Sequence, residues 1–293
     1  MYWERIIGRL AIVAALCCAS PAAAREMRSG GKLALTDGVT TVEGAAGGGI
    51  AAWAVIAGNE TKDGIGGTAQ ATLVALPDFD LKAYGAAIGW RDRVELSYTR
   101  QSFDTRKAGA ALGLGRGFTF AQDVFGAKVK LFGDAVWAQD GWLPQVAVGV
   151  QHKRANRGAV IRAVGGRESK GTDFYASATK LFLAQSLLVD ATVRLTKANQ
   201  FGLLGFGGDK GNARTAQFEG SAALLLSPRL ALGAEARTKP DRLGFARERD
   251  AYDVFAAWAP HRNVMLTAAY ADLGDIATVR RQRGLFVQLQ AGF

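Results

Sequence analysis

Two histidines, His152 and His261, and two cysteines, Cys17 and Cys18, are the only imidazole and thiol groups in 293 residues. A metal site needs several such ligands at close spacing, and acyl transfer needs a nucleophile beside a base that a third group orients. Neither histidine has another His, an Asp or a Glu at ligand spacing. His261 falls in a short turn, and His152 ends an alternating segment beside Lys153 and Arg154. There is no Gly-x-Ser-x-Gly elbow, and no serine two residues after either histidine, the arrangement of one class of membrane phospholipase. Paired carboxylates remain open as an acid–base device. The reading is therefore of a protein that is not an enzyme, with no metal and no cofactor.

Two glycine-rich stretches could cradle phosphate. One contains Gly113-Leu114-Gly115-Arg116-Gly117 and the other Gly205-Phe206-Gly207-Gly208-Asp209-Lys210-Gly211. Neither ends in Gly-Lys-Ser/Thr or sits between a strand and a helix, so both read as long loops. The apolar one, Gly109 to Gly117, is a candidate for folding inward as a constriction.

Formal charge is +10. The basic residues do not gather on one helix, and an exported chain rarely meets nucleic acid, so nucleic acid is not an expected partner. Arg154, Arg157, Arg162, Arg167 and Lys170 share one segment, and Arg280, Arg281 and Arg283 another. They could draw anions toward a pore or pair with lipopolysaccharide phosphates, and the second reading is preferred.

Residues 1–24 read as a cleaved export signal: Arg5 and Arg9, an apolar run from Leu10 to Leu16, then Ala22-Ala23-Ala24. The run is well short of the roughly 20 residues of a spanning helix. Cys17 follows Leu16 rather than a small residue, which disfavours a lipoprotein signal. Both cysteines leave with the signal, so residues 25–293 hold no disulfide and must be stabilised by burial and hydrogen bonding.

The elements that remain alternate with a period of two. In LLVDATVRLTK, residues 187–197, Leu187, Val189, Ala191, Val193 and Leu195 share one face, while Asp190, Thr192, Arg194 and Thr196 share the other. The split recurs after Arg93 and in the ending Leu285 to Phe293. Thirteen candidate strands lie near 50–59, 67–77, 81–91, 93–103, 123–132, 145–153, 172–182, 187–198, 216–226, 230–238, 251–260, 264–272 and 284–293; several do not phase cleanly, notably 81–91 and 172–182, where Lys82 and Lys180 sit among apolar neighbours of either parity. Short connections alternate with long ones, as in a transmembrane antiparallel up-and-down β-barrel. A single-chain bacterial barrel takes an even strand number, so a further strand within 32–43 brings the expectation to about fourteen; twelve, with the N-terminal segment tucked inside as a plug, is the alternative.

An Arg on the lipid face at mid-membrane costs about 2–4 kcal/mol, which fixes the phase with charges inward. Arg93, Glu95, Lys128, Lys130, Asp190, Arg194, Glu219, Glu235 and Arg237 become candidate lumen-lining residues. Trp53, Trp90, Trp137, Trp142, Trp258, Tyr98, Tyr252 and Tyr270 fall mostly near segment ends, as aromatic girdles do. The terminal aromatic Phe293 reads as a signal for the barrel-assembly machinery.

KLFLAQSLLVDATVRLTKANQFGLLGFGGDKG (180–211), the stretch from Gly220 to Pro260, GAALGLGRGFTFAQDVFG (109–126) and the ending ADLGDIATVRRQRGLFVQLQAGF resemble a proteobacterial family of outer-membrane proteins classed as a domain of unknown function. The resemblance implies an outer-membrane location and supplies no catalytic residues. The expectation is an outer-membrane barrel, monomeric or homo-oligomeric, in contact with lipid and lipopolysaccharide. Its expected role is that of a passive, porin-like channel for small hydrophilic solutes. A closed structural or partner-binding barrel comes second, and an outer-membrane lipid-modifying enzyme third.

Overall fold

The computed structural model describes residues 32, 35–136, 138 and 141–293; the expected export segment and Trp137 lie outside them. Among the described residues, twelve antiparallel strands close into a barrel. In chain order they are β1 Ile65–Ala75, β2 Asp80–Trp90, β3 Val94–Asp104, β4 Thr119–Phe132, β5 Gln145–Ala155 and β6 Lys170–Phe182. They continue as β7 Leu187–Thr196, β8 Thr215–Ser227, β9 Leu230–Arg237, β10 Ala251–His261, β11 Val264–Asp272 and β12 Arg283–Gly292. Each pairs with the next, and β12 returns to β1 from Leu285↔Ala75 to Gly292↔Thr68. Phe293 completes the seam: its N–H donates to the Gly67 carbonyl, and its own carbonyl accepts from Asn59 and Gly67. Closure leaves no strand edge facing hydrocarbon, where each unpaired backbone group would cost several kcal/mol.

The phase follows the charges. In β3, Glu95, Ser97, Thr99 and Gln101 are buried inside while Leu96 and Tyr98 face out. In β7, Asp190, Thr192, Arg194 and Thr196 point in, and Val193 and Leu195 point out. The outer surface carries Ile88, Phe125, Val148, Phe174, Phe218 and Val254, a belt suited to lipid tails. Trp90 and Trp258 flank it near one rim, Tyr252 and Tyr270 near the other.

The strands expected at 50–59 and within 32–43 are not in the wall, so the count is not fourteen but the twelve of the alternative reading, with the N-terminal segment tucked inside. Residues 35–58 instead run through the barrel interior, buried at every position, with only a two-residue hairpin pairing Val39–Thr40 with Ala46–Gly47. A wall strand has one wet and one lipid face; this segment has neither. Its Gly, Ala, Ile50, Val55 and Ile56 are enclosed by the barrel rather than by lipid. Trp53 accordingly leaves the expected girdle: it is 3 % exposed, and its indole N–H donates to Ser221 Oγ at 2.8 Å.

Both ends of residues 35–293 lie at the rim of the short turns 91–93, 183–186, 228–229 and 262–263; one longer connection, 133–144, shares that rim. The opposite rim carries the long loops 105–118, 156–169, 197–214, 238–250 and 273–282. These loops fold over the mouth through the helix Gly158–Ala163 and a small sheet pairing Gly166–Glu168 with Phe206–Gly208. No helix among the described residues is long and apolar enough to cross a membrane.

Candidate functional site

A segment with so little regular structure, buried in a lumen, must find partners for most of its backbone groups away from water. Here the inward side chains of the wall supply them. Glu95 on β3 accepts from the Ala46 and Ala57 N–H groups at 3.2 and 2.9 Å. Glu219 on β8 accepts from Ala52 N–H at 3.0 Å, and Glu235 on β9 from Ile50 N–H at 2.9 Å. Carbonyls are met in the same way. Lys128 on β4 donates to Ala46 and Val55, Gln145 on β5 to Ala54, and Thr192 on β7 to Ala52, at 2.6–2.9 Å. The wall acts as a surrogate strand for the plug.

At the centre lies a six-charge cluster. Plug residue Glu43 contacts Lys153 of β5 and Arg237 of β9, the latter at 2.8 Å, and lies 4.0 Å from Arg194 of β7. Lys153 also meets Asp173 of β6 at 2.7 Å, Arg237 meets Glu219 at 3.2 Å, and Arg194 pairs with Glu219. Three cations therefore balance three carboxylates, and one of the carboxylates belongs to the plug. A second pair, Lys128 and Glu95 at 3.1 Å, grips the plug farther toward the short-turn rim. Because all these groups are enclosed, water does little to screen them, and their mutual pairing is what makes their burial tolerable.

Phe201 closes the cluster from the loop side. It sits in the 197–214 loop beside Gln200, both with left-handed backbone (φ 59° and 48°), and the Arg237 guanidinium lies over its ring at 4.4 Å. This loop reaches inward, and the Gly109 to Gly117 loop also turns Leu112 and Leu114 toward the plug, where they line the same cavity as Val42 and Ile50.

Of the residues singled out from sequence, Glu95, Lys128, Lys130, Asp190, Arg194, Glu219, Glu235 and Arg237 all lie buried inside the barrel. Asp190 accepts from Thr179 and Thr192, and Lys130 pairs with Asp92 at the short-turn rim. Arg93 is a correction. It stands in the exposed turn 91–93 ahead of β3, because Arg91 and Asp92 take left-handed backbone and end the strand phase before it. Glu43, Lys153 and Asp173 escaped the sequence reading. Glu43 carried a usable signal: between Gly38 and Gly58 it is the one charged residue in a Gly/Ala-rich apolar stretch. His152 Nδ1 lies 2.9 Å from Thr172 Oγ1, and His261 Nδ1 accepts from Asn263 N–H. Among the described residues no three His, Cys, Asp or Glu side chains cluster to hold a metal.

Sequence comparison places this architecture. The signature of the family described as "Protein of unknown function (DUF3034)" matches residues 36–290, which includes both plug and wall. The chain belongs to this family. No curated protein matches it in sequence. Among solved structures the barrel is similar to the KdgM porin (TM-score 0.50, 10 % identity, 77 % of this chain and 99 % of that one). The KdgM porin in complex with disordered oligogalacturonate gives the same values. The NanC porin gives a TM-score of 0.48 at 8 % identity, over 78 % of this chain and 98 % of that one. At such identities the KdgM likeness speaks to fold alone: this DUF3034 chain is a closed antiparallel β-barrel similar to that of the KdgM porin.

Proposed function

We propose that this protein is an outer-membrane, porin-like channel held shut at rest by its own residues 35–58, which passes small solutes when that segment shifts. The observation that carries the reading is the shared charge cluster: the wall's three cations find their third carboxylate only in the plug. Undocking exposes a wall lined with charges of both signs, the surface of a water-filled pore. The cost of separating those pairs keeps the closed state dominant, and a solute or a partner that binds the open state better would shift the balance.

The exposed arginines of the 156–169 and 273–282 loops suit phosphate groups of lipopolysaccharide, and Phe293 at the β12–β1 seam suits recognition during assembly. No catalytic step is proposed.

Planar-bilayer recording of the full chain beside a variant lacking residues 35–58 tests the channel. Rare, brief openings are expected from the first and sustained conductance from the second. The dense hydrogen bonding of the plug also favours a second reading, a permanently closed structural barrel. A full chain that never opens while the inserted deletion variant conducts would establish it, and a correctly inserted deletion variant that stays silent would end the channel reading.

A further inference from the structure

Above the plug, at the long-loop end, lies a cavity of about 190 Å³. Its floor is Val42 and Ile50 of the plug, its wall includes Phe103 and Phe286, and its roof includes Leu114 and Phe245 from the loops. Well-packed interiors rarely leave a void this large, and apolar cavities of about 150 Å³ stay dry and take up benzene. The two polar residues on its lining already have partners: Thr105 donates to the Phe118 carbonyl at 2.7 Å, and Gln200 donates to Glu248 at 2.7 Å and to the Asp275 carbonyl at 3.1 Å. The charges of the cluster below do not line it. Six phenylalanines do: Phe79, Phe103, Phe120, Phe201, Phe245 and Phe286, the first two stacked at 5.1 Å.

From this geometry we infer a binding site for a small, neutral aromatic molecule, of about one to two fused rings, entering from the loop side. Phenylalanine faces and edges complement an aromatic guest and offer nothing to a carboxylate or a sugar hydroxyl. A charged guest would lose its hydration with no compensating partner. Leu112, Leu114, Val160 and Phe245 are only partly buried, so the entrance runs between loops that can part without disturbing the strands. Binding here does not require the plug to move, so the site stands apart from the channel reading.

The test is ¹⁹F NMR of fluorobenzene with the full chain in lipid nanodiscs, against empty nanodiscs to subtract partitioning. Saturable binding is expected, with 4-fluorobenzoate and a fluorinated glucose at least tenfold weaker. Ala271→Phe fills the cavity from β11 and should abolish saturation. Leu114→Trp fills it from an exposed loop, where folding is insensitive, and should weaken binding at least tenfold. Heat-modifiable gel mobility reports whether each variant is a folded barrel. No saturable component in the wild type, equal binding of fluorobenzoate, or unchanged binding in a folded Leu114→Trp barrel would overturn the site. A silent barrel that binds fluorobenzene would keep the site and remove only the channel.

Discussion

Replacing Glu43 by Gln should release the plug without unfolding the barrel. Glu43 is 1 % exposed and is the plug's only contribution to the six-charge cluster. With a neutral side chain there, Lys153, Arg194 and Arg237 face only Asp173 and Glu219, and one positive charge remains buried without a partner. Removing one member of a buried ion pair typically costs about 3–5 kcal/mol, chiefly because its partner is stranded. The wall strands keep their register bonds, so this cost falls on the docked state alone. At about 1.4 kcal/mol per tenfold, the ratio of undocked to docked plug should rise by about two to three and a half orders of magnitude. Open probability in planar bilayers reads that ratio directly, up to the ceiling set by the deletion of residues 35–58. Adding Lys153→Met restores charge balance, two cations against two carboxylates, and should return much of the closed state. A folded, inserted Glu43→Gln barrel whose open probability matches the wild type would refute the claim that this cluster holds the plug.

Two further perturbations address the same docking. A Cβ on Gly48 would lie 1.6 Å from Glu235 Oε1, a carboxylate already fixed by Ser221 at 2.7 Å and Ile50 N–H at 2.9 Å. Gly48→Ala should therefore loosen the plug by about 1–3 kcal/mol, seen as faster protease cleavage within residues 35–58; unchanged cleavage would contradict so close an approach. Glu60, at the short-turn rim where plug meets β1, has its carboxyl pushed by burial from 4.5 up to about 7, against the pull of Lys32 at 3.6 Å, with Asp92 and Asp37 adding to the rise. A solvated Glu60 ionises at its ordinary value, so docking is fully supported below about 4.5 and loses that support as pH climbs to about 7. Openings should be more frequent at pH 8 than at pH 5, and Glu60→Gln should flatten the profile; the opposite trend, or an unchanged profile in the variant, would remove Glu60 as the titrating group.

Local pattern alone was enough for most of the wall. Each of the twelve strands lies within a few residues of a segment expected from sequence, and most of those segments alternate, because the bilayer imposes a period of two on each strand independently. The same penalty set the inward face, and with it Glu95, Lys128, Asp190, Arg194, Glu219, Glu235 and Arg237, before any partner was known. Arg93 was misread because a left-handed turn can end a strand without breaking the alternation of residue types.

What only the tertiary structure decided is where residues 35–58 go. Gly, Ala and Ile are equally at home against lipid or against the inner wall, so composition cannot separate a thirteenth strand from a plug. Closure decides it, since β12 pairs with β1 and leaves the segment no place in the sheet. The meeting of Glu43 with Lys153 and Arg237, across 110 and 194 positions of chain, is equally invisible locally. It arises because the circumference and stagger of the closed sheet bring distant inward charges to one level, and a folded-in segment supplies the carboxylate that balances them.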